Sequence, residues 1–226
     1  EGFPGPDRKI YEKGQLAAML EIKNLTKRFG GFVALSNINL SVSSGERLGL
    51  IGPNGSGKTT LINCISGAIQ DYSGDVEFNG TNINGLKAHK RARSGIARSF
   101  QIPKPFNSMT VRQNLMIPLE YAVEEGGHNH TVIEREADQI IETMELEDLA
   151  DQLPSNLTQI DMRKLELARA MAAKPKLLIS DEAMAGLSGS EVDDILNILR
   201  NLNETSKITI VMIEHIMRAV MSFSER

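Results

Sequence analysis

The feature that most constrains this chain is the string GPNGSGKTT, at positions 52–60. It satisfies the pattern G-x-x-x-x-G-K-[ST] and lies between an apolar strand pattern and an apolar helix pattern. Glycines in such a loop let successive backbone N–H groups turn inward, and the following helix presents its partly positive N-terminus to the same place. The string therefore predicts a phosphate-binding loop made by Gly52, Asn54, Gly55, Ser56, Gly57, Lys58, Thr59 and Thr60.

Three side chains of the loop have specific chemistry. At about 3 to 4 Å and an effective dielectric near 20, the Lys58 amine would attract a phosphate oxygen by on the order of 4 kcal/mol before desolvation. Thr59 offers a hydroxyl to Mg²⁺, and Thr60 can reach the α-phosphate side of the loop. The predicted ligands are therefore a nucleoside triphosphate and Mg²⁺.

A second motif supplies the carboxylates that such a site needs. In LLISDEAMAGL, residues 177–187, an apolar strand ends in Asp181 and Glu182. Adjacent residues of a strand point in opposite directions, so only one of the two can face the metal directly. We assign Asp181 to Mg²⁺ and Glu182 to polarising the attacking water, because phosphoryl transfer needs a positioned base.

Composition limits the class of protein. With 226 residues, 41% of them hydrophobic, the chain is long enough for one domain with a substantial core. It has no run of 18 apolar residues and no secretory signal pattern, which predicts a soluble chain. A formal charge of −4 argues against a nucleic-acid surface, and a single cysteine, Cys64, fits a reducing cytoplasm.

The apolar periodicity predicts an alternation of strands and helices. A strand-rich antiparallel lobe is expected over 20–50, with a buried strand at 47–51 and a helix at 57–68. Further helices are expected at 131–149, 165–173 and 191–202, and further strands at 177–179 and 208–213. The basic run from Lys87 to Arg98, with Lys90, Arg91 and Arg93, is interpreted as a solvated helix face.

With these motifs placed, the chain resembles the ABC transporter ATPases over almost all of residues 20–226. Phe29 occupies the place of the family's adenine-stacking aromatic, and Gln101 matches the glutamine loop, which touches Mg²⁺ and senses the permease. The segment 186–188 stands where the family has its dimer-spanning loop, and His215 matches the switch histidine that contacts the γ-phosphate. Strings such as GIARSFQ and IEHIMRAVM most resemble the ATP-binding subunits of branched-chain amino acid importers and related amide or urea importers.

The resemblance implies an α/β fold: a P-loop NTPase (RecA-like) core with an antiparallel β subdomain and an inserted helical subdomain, the ABC ATPase architecture. It implies a nucleotide-binding domain over 19–226, with the helical subdomain at about 102–168, behind an N-terminal tail or extension at 1–18. The sequence stops eleven positions after His215, where family members continue, so we expect a truncated C-terminus.

The resemblance also implies a function. The expected protein binds ATP and Mg²⁺ and powers an importer from the inner face of the cell membrane, with Lys58, Glu182 and His215 catalytic and Thr59, Gln101 and Asp181 at the metal. Its expected partners are membrane permease subunits and a second ATPase subunit, identical or different. Ile102, Phe106, Met109 and Leu115 fit equally well a groove for the permease or core packing.

The family signature LSGGQ is replaced here by Leu-Thr-Gln-Ile-Asp at 157–161. Thr158 keeps a hydroxyl for the γ-phosphate held by the opposite subunit, but Gln159 and Ile160 replace both glycines, and Asp161 adds negative charge. Either Thr158 and the helix N-terminus suffice in trans, or the chain is a weakly or non-hydrolysing half of an asymmetric pair. We favour the first because the other site residues are retained. A soluble ABC ATPase outside transport is a further alternative, although the sequence shows no tandem cassette or long coiled-coil insertion.

Overall fold

The computed structural model describes residues 18–99, 103–122 and 129–226. Residues 1–17 of the tail predicted at 1–18, together with Gln101 and Ile102, lie outside the described residues, whereas Ala18 is already the first residue of a strand. The strands are β1 Ala18–Phe29, β2 Phe32–Ser43, β3 Arg47–Leu50, β4 Ser73–Phe78, β5 Thr81–Asn82, β6 Ile96–Ser99, β7 Leu177–Asp181 and β8 Thr209–Ile213. The helices are α1 Lys58–Ser66, α2 Ala88–Ser94, α3 Val111–Ala122, α4 His130–Thr143, α5 Gln159–Ala172, α6 Gly189–Ser206 and α7 Met217–Phe223.

The strands form two sheets of different character. One is antiparallel, in the order β2-β1-β4-β5, and the other is parallel, in the order β3-β8-β7-β6. Parallel strands joined through helices are typical of α/β folds. The predicted fold class is confirmed, and the parallel sheet is the part that carries the two sequence motifs.

The register of the parallel sheet brings the motifs to one edge. Leu50 of β3 and Asp181 of β7 both pair with Ile213 of β8. Because carboxyl ends of parallel strands share an edge, the loops that follow these three strands meet there. These are the glycine-rich loop after β3, the turn at Glu182 after β7 and the segment that begins at Glu214 after β8.

Two apolar cores cover the faces of the parallel sheet. Alternate residues of β7 enter different cores, since Leu177 and Ile179 pack with the antiparallel sheet and α1, whereas Leu178 packs with α3 to α7. All three side chains are fully buried. This is the period-two alternation of a strand that is covered on both faces.

Several predicted boundaries were wrong for identifiable reasons. The helix expected over 131–149 ends at Thr143, where Glu145 adopts a left-handed backbone with φ 55°, and a short 3₁₀ turn follows at Glu147–Leu149. Helix α5 begins at Gln159, six residues before the predicted start, because Thr158 and Asp161 form a capping box. Ile51, expected in a buried strand, is 48% exposed and already belongs to the loop.

The basic run was also misjudged in part. Lys90 and Arg93 are exposed on α2, as predicted, but Arg91 is fully buried. Its guanidinium donates to the carbonyl oxygens of Cys64 and Ile65 at 2.6 and 2.9 Å. A cation at these carbonyls satisfies acceptors that the end of α1 leaves open, so Arg91 is a structural residue.

Candidate functional site

The glycine-rich loop is a cradle of backbone groups at the surface. Gly55 and Gly57 have positive φ angles of 81° and 95°, which the residues of such a loop adopt readily only as glycine. The Lys58 Nζ donates to the carbonyl oxygens of Gly52 at 2.6 Å and Pro53 at 2.9 Å, and therefore bridges the start of the loop. The N-cap residue of α1 is Gly57, which has no side chain to cap the helix, so the N-terminal N–H groups of α1 face the loop.

Gly57 is fixed by a tertiary contact as well as by its backbone angle. A Cβ at this position would lie 2.7 Å from the Ala34 carbonyl oxygen and 2.9 Å from Leu35 Cδ2, both on β2. Those distances are too short for a side chain. The antiparallel sheet thus packs against the loop at Gly57, where the backbone of Ala34 leaves no room for a side chain.

The two threonines and most other residues of the phosphate loop are at least partly exposed to solvent. Thr59 is exposed and Thr60 half-buried, and Asn54, Gly55 and Ser56 are exposed. The structure therefore brings the predicted phosphate-binding residues together around one surface loop.

Asp181 is the buried member of the two carboxylates. It is 6% exposed, and its Oδ2 accepts from Arg98 Nη2 at 2.5 Å. Arg98 Nη1 donates to Asn63 Oδ1 of α1 at 2.7 Å, so one guanidinium connects the end of β7 with the helix that follows the loop. Sequence reasoning missed this role, since it treated Arg98 as part of a solvated face.

Glu182 lies just beyond β7 in an unusual backbone conformation. Its φ is 48°, a left-handed value that non-glycine residues seldom adopt. Its N–H donates to the Ile213 carbonyl oxygen at 2.9 Å, and its Oε1 lies 2.9 Å from His215 Nε2. The residues that were predicted separately as base and as switch histidine are therefore in direct contact, with the His215 side chain 44% exposed.

Glu214 is a polar residue that sequence reasoning did not single out. It is 3% exposed and its Oε1 accepts from the Met184 N–H at 2.9 Å. Burial raises the pKa of the Glu214 carboxyl, against the lowering effect of the Met184 N–H, and the nearby Glu182 charge adds to the rise. The available signal was a lone acid that directly follows the apolar strand β8.

Phe29 stands at the tip of the β1–β2 hairpin and is 49% exposed. The Lys27 Nζ lies 4.8 Å from the centre of its ring, a cation–π distance. Lys27 pairs across the hairpin with Leu35, the residue that touches Gly57. The hairpin that carries Phe29 therefore also contacts the phosphate loop, at Gly57.

Thr158 is the N-cap residue of α5. Its hydroxyl donates to Asp161 Oδ2 at 2.5 Å, and its N–H donates to the same oxygen at 3.1 Å. Asp161, which the sequence analysis treated as added negative charge, therefore forms a capping box with Thr158. A ligand bound there would compete with Asp161 for the Thr158 hydroxyl.

The rest of the altered signature packs within its own chain. Ile160 is partly buried against the helical core, and the Gln159 amide lies over Gly186, where a Cβ would be 2.5 Å from Nε2. Gln159 is itself exposed. Gln159 therefore lies against Gly186, and Ile160 packs on the helical core.

The segment predicted either to dock a permease or to fill the core contains both buried and exposed apolar residues. Leu115 is fully buried, whereas Phe106 is 42% exposed and has the Arg169 guanidinium 5.0 Å from its ring centre. Among the helices of the described residues, none is both long and apolar enough to span a bilayer.

Comparison with known proteins identifies the family. The ABC transporter family model matches residues 35–185, which is more than half of the chain. The high-affinity branched-chain amino acid transport ATP-binding proteins BraF of Pseudomonas aeruginosa and LivG of Escherichia coli K12 are 36% and 35% identical, over 92% of this chain and 86% of their own length.

A solved structure extends the likeness to three dimensions. An ATP-binding cassette determined as a dimer in a post-hydrolysis state, bound to ADP and Pi, superposes with a TM-score of 0.81 at 27% identity and covers 92% of both chains. The match in sequence and the match in fold agree with the convergence of the loop, Asp181, Glu182 and His215 described above. The chain belongs to the ABC transporter family, as an ATP-binding and ATP-hydrolysing subunit.

Proposed function

We propose that this subunit powers the import of branched-chain amino acids or similar small polar solutes. The observation that carries the proposal is the convergence of the phosphate loop, Asp181, Glu182 and His215 at one edge of the parallel sheet. The cargo rests on the similarity to BraF and LivG, which are named for branched-chain amino acid transport.

In this proposal ATP lies along the loop with its base toward the hairpin. Phe29 stacks on the adenine with the ring face that Lys27 leaves open. The N–H groups of residues 52–60 and the Lys58 amine hold the phosphates, and Lys58 exchanges its bonds to the Gly52 and Pro53 carbonyls for phosphate oxygens.

The donor set suits Mg²⁺. A site for this ion commonly combines one or two carboxylates with hydroxyl, water and phosphate oxygens. Asp181 and the Thr59 hydroxyl provide protein oxygens of this kind, and Gln101 is assigned as a third, although it lies outside the described residues. The described residues include no group of three or more His, Cys, Asp or Glu side chains that could hold a metal without the nucleotide. When bound, the ion would neutralise charge that develops on the transferred phosphoryl group.

Glu182 is assigned as the base that orients the attacking water. Its carboxylate reaches toward solvent at the mouth of the site, with 18% side-chain exposure, while His215 holds one of its oxygens. His215 is assigned to the γ-phosphate. Its ring is exposed and follows the end of β8, so it can contact a phosphate without a movement of that strand.

A second ATPase subunit and a permease complete the proposal. Thr158, at the N-terminus of α5, would contact the γ-phosphate that the other subunit holds, and closure of the pair would be coupled to the permease through Gln101 and the exposed Phe106. This arrangement places the subunit at the cytoplasmic face of the cell membrane, where ATP is available.

The decisive experiment is Glu182→Gln in the purified subunit with its permease. We expect Mg·ATP affinity to stay within a few-fold of wild type while turnover falls by about 10² to 10⁴, because the amide cannot act as a base. Phosphate release and nucleotide binding are measured on the same samples, and unchanged turnover would refute the assigned base.

The cargo is tested separately. Cells that lack the subunit should lose uptake of labelled leucine and recover it with the wild-type chain but not with the Glu182→Gln chain. Normal leucine uptake together with loss of another solute would replace the cargo while leaving the ATPase assignment intact.

A further inference from the structure

The turn at residues 182–185 carries the assigned base in a conformation that needs support. Glu182 has a left-handed backbone, which a residue with a side chain keeps only when its surroundings enforce it. An unsupported turn would relax, and the Glu182 carboxylate would leave the His215 ring.

Three hydrogen bonds from outside the turn hold it in place. The Glu182 N–H donates to the Ile213 carbonyl oxygen at 2.9 Å, and the Met184 N–H donates to Glu214 Oε1 at 2.9 Å. From the opposite side, Arg163 Nη2 of α5 donates to the Ala185 carbonyl oxygen at 3.0 Å. Two of these three supports are side chains, and both are buried, with Glu214 3% and Arg163 8% exposed.

Burying these two groups is unfavourable in itself. Burial raises the pKa of the Glu214 carboxyl and lowers the pKa of the Arg163 guanidinium, since each charge is removed from water. An apolar pair of similar volume would fill this part of the core at lower cost. An apolar pair, however, could not form hydrogen bonds to the Met184 N–H and the Ala185 carbonyl of the turn.

We propose that Glu214 and Arg163 are positioning residues that hold the 182–185 turn, so that the Glu182 carboxylate stays aligned beside His215. Glu214 acts through the Met184 N–H and Arg163 through the Ala185 carbonyl. The inference rests on the proposed function in one respect, namely that Glu182 is the base.

The test compares Glu214→Leu with Glu214→Gln in the full chain. The glutamine keeps an oxygen that can accept the Met184 N–H, whereas the leucine has no acceptor. For Glu214→Leu we expect kcat to fall by about 10- to 100-fold, because small misplacements of a reacting group have effects of this size. The Kd for Mg·ATP should stay within about threefold, and Glu214→Gln should restore kcat to within about threefold of wild type.

A spectroscopic signature reports the same contact without turnover. The chain has four histidines, so the His215 imidazole resonances can be assigned by single substitutions in the nucleotide-free protein. Glu214→Leu should move them toward their positions in Glu182→Gln, because both changes remove the carboxylate from the ring. Glu214→Gln should leave them near the wild-type positions.

The matched control is Asn203→Leu. Asn203 is 7% exposed and donates to the Gly45 and Ile208 carbonyls, far along the chain from the turn. This variant removes a comparable buried polar contact, so it should lower Tm without changing kcat at a temperature where the protein is folded. If Glu214→Leu does not fold, Arg163→Met tests the other support with the same readouts and the same expected loss of kcat.

The outcomes separate the two proposals. A folded Glu214→Leu with kcat and His215 resonances like wild type, beside a Glu182→Gln that has lost turnover, would overturn the positioning role alone. A Glu214→Gln as impaired as Glu214→Leu would overturn the assigned hydrogen bond. If Glu182→Gln itself keeps turnover, the base assignment fails first and the positioning role fails with it.

Discussion

The phosphate loop and the carboxylate turn lie at the same sheet edge but are built in opposite ways. The loop occupies one short stretch of chain, and Lys58 bonds carbonyls only five and six residues before it. The turn depends on partners far away in sequence: Asp181 binds Arg98 across 83 residues and Glu182 contacts His215 across 33. Most of the loop is exposed, whereas Asp181 is buried.

The contrast indicates how each region is expected to fail. A change in the loop should act mainly on nucleotide binding, because solvent already surrounds most of its groups. A change at the turn should act on folding stability and on the geometry of catalysis, because its polar groups have few alternatives to their present partners. The following four changes test that contrast, from the largest expected effect to the smallest.

Arg98→Leu should have the largest effect on stability. It leaves the buried Asp181 carboxylate without its cation, and breaking a pair of this kind lowers the free energy of unfolding by about 3 to 5 kcal/mol. Urea unfolding without nucleotide measures the loss. Arg112→Leu is the control, since its pairs with Asp138 and Asp151 are at the surface, and it should lose less than about 1 kcal/mol. Similar losses in both variants would contradict the role given to burial.

Lys58→Met should have the next effect, on binding and not on folding. We expect the Kd for Mg·ATP to rise by about 10²-fold, or about 2.7 kcal/mol, which is less than the bare attraction because desolvation offsets part of it. Tm without nucleotide should change little. Lys90→Met, on the exposed face of α2, serves as the control for loss of one positive charge. A large drop in Tm for Lys58→Met would mean that the loop also depends on this residue for folding.

Gly57→Ala should lower the free energy of unfolding by about 2 kcal/mol, through the left-handed backbone and the clash with Ala34. Gly55→Ala is the matched control, because its φ is also positive but a Cβ there meets nothing within 4 Å. It should lose about 1 kcal/mol. The difference between the two, measured by thermal unfolding, isolates the contact with β2. Equal losses would show that the contact with β2 does not add to the cost of a side chain at Gly57.

Thr158→Ala should have the smallest effect, about 1 kcal/mol from the lost helix cap. Asn129→Ala removes the cap of α4 and should cost a similar amount. Only Thr158→Ala should also weaken ATP-dependent association of two subunits, followed by light scattering with the Glu182→Gln background to prevent hydrolysis. Equal association in both variants would argue against a contact in trans.

Much of the fold was predicted correctly from the pattern of apolar residues in the sequence. The strand, loop and helix around the glycines, the strand that ends in Asp181 and the order of the later elements all appeared where alternation and helical periodicity indicated them. Two of the misplaced helix boundaries have a related cause, a capping residue at Thr158 and a left-handed residue at Glu145, neither of which periodicity registers. At the site, the role of His215 was predicted only through family resemblance, and its contact with Glu182 was not predicted.

The sequence by itself determined the phosphate loop, because its glycines and its lysine act on neighbours within a few residues and leave a local signature. Tertiary structure alone decided which groups surround the carboxylates. Arg98, Arg163 and Glu214 look like ordinary charged residues in the chain, and they acquire their roles only when the register of β6, β7 and β8 and the packing of α5 bring them to one turn. Contacts between residues this far apart depend on the packed fold, and no local pattern in the chain encodes them.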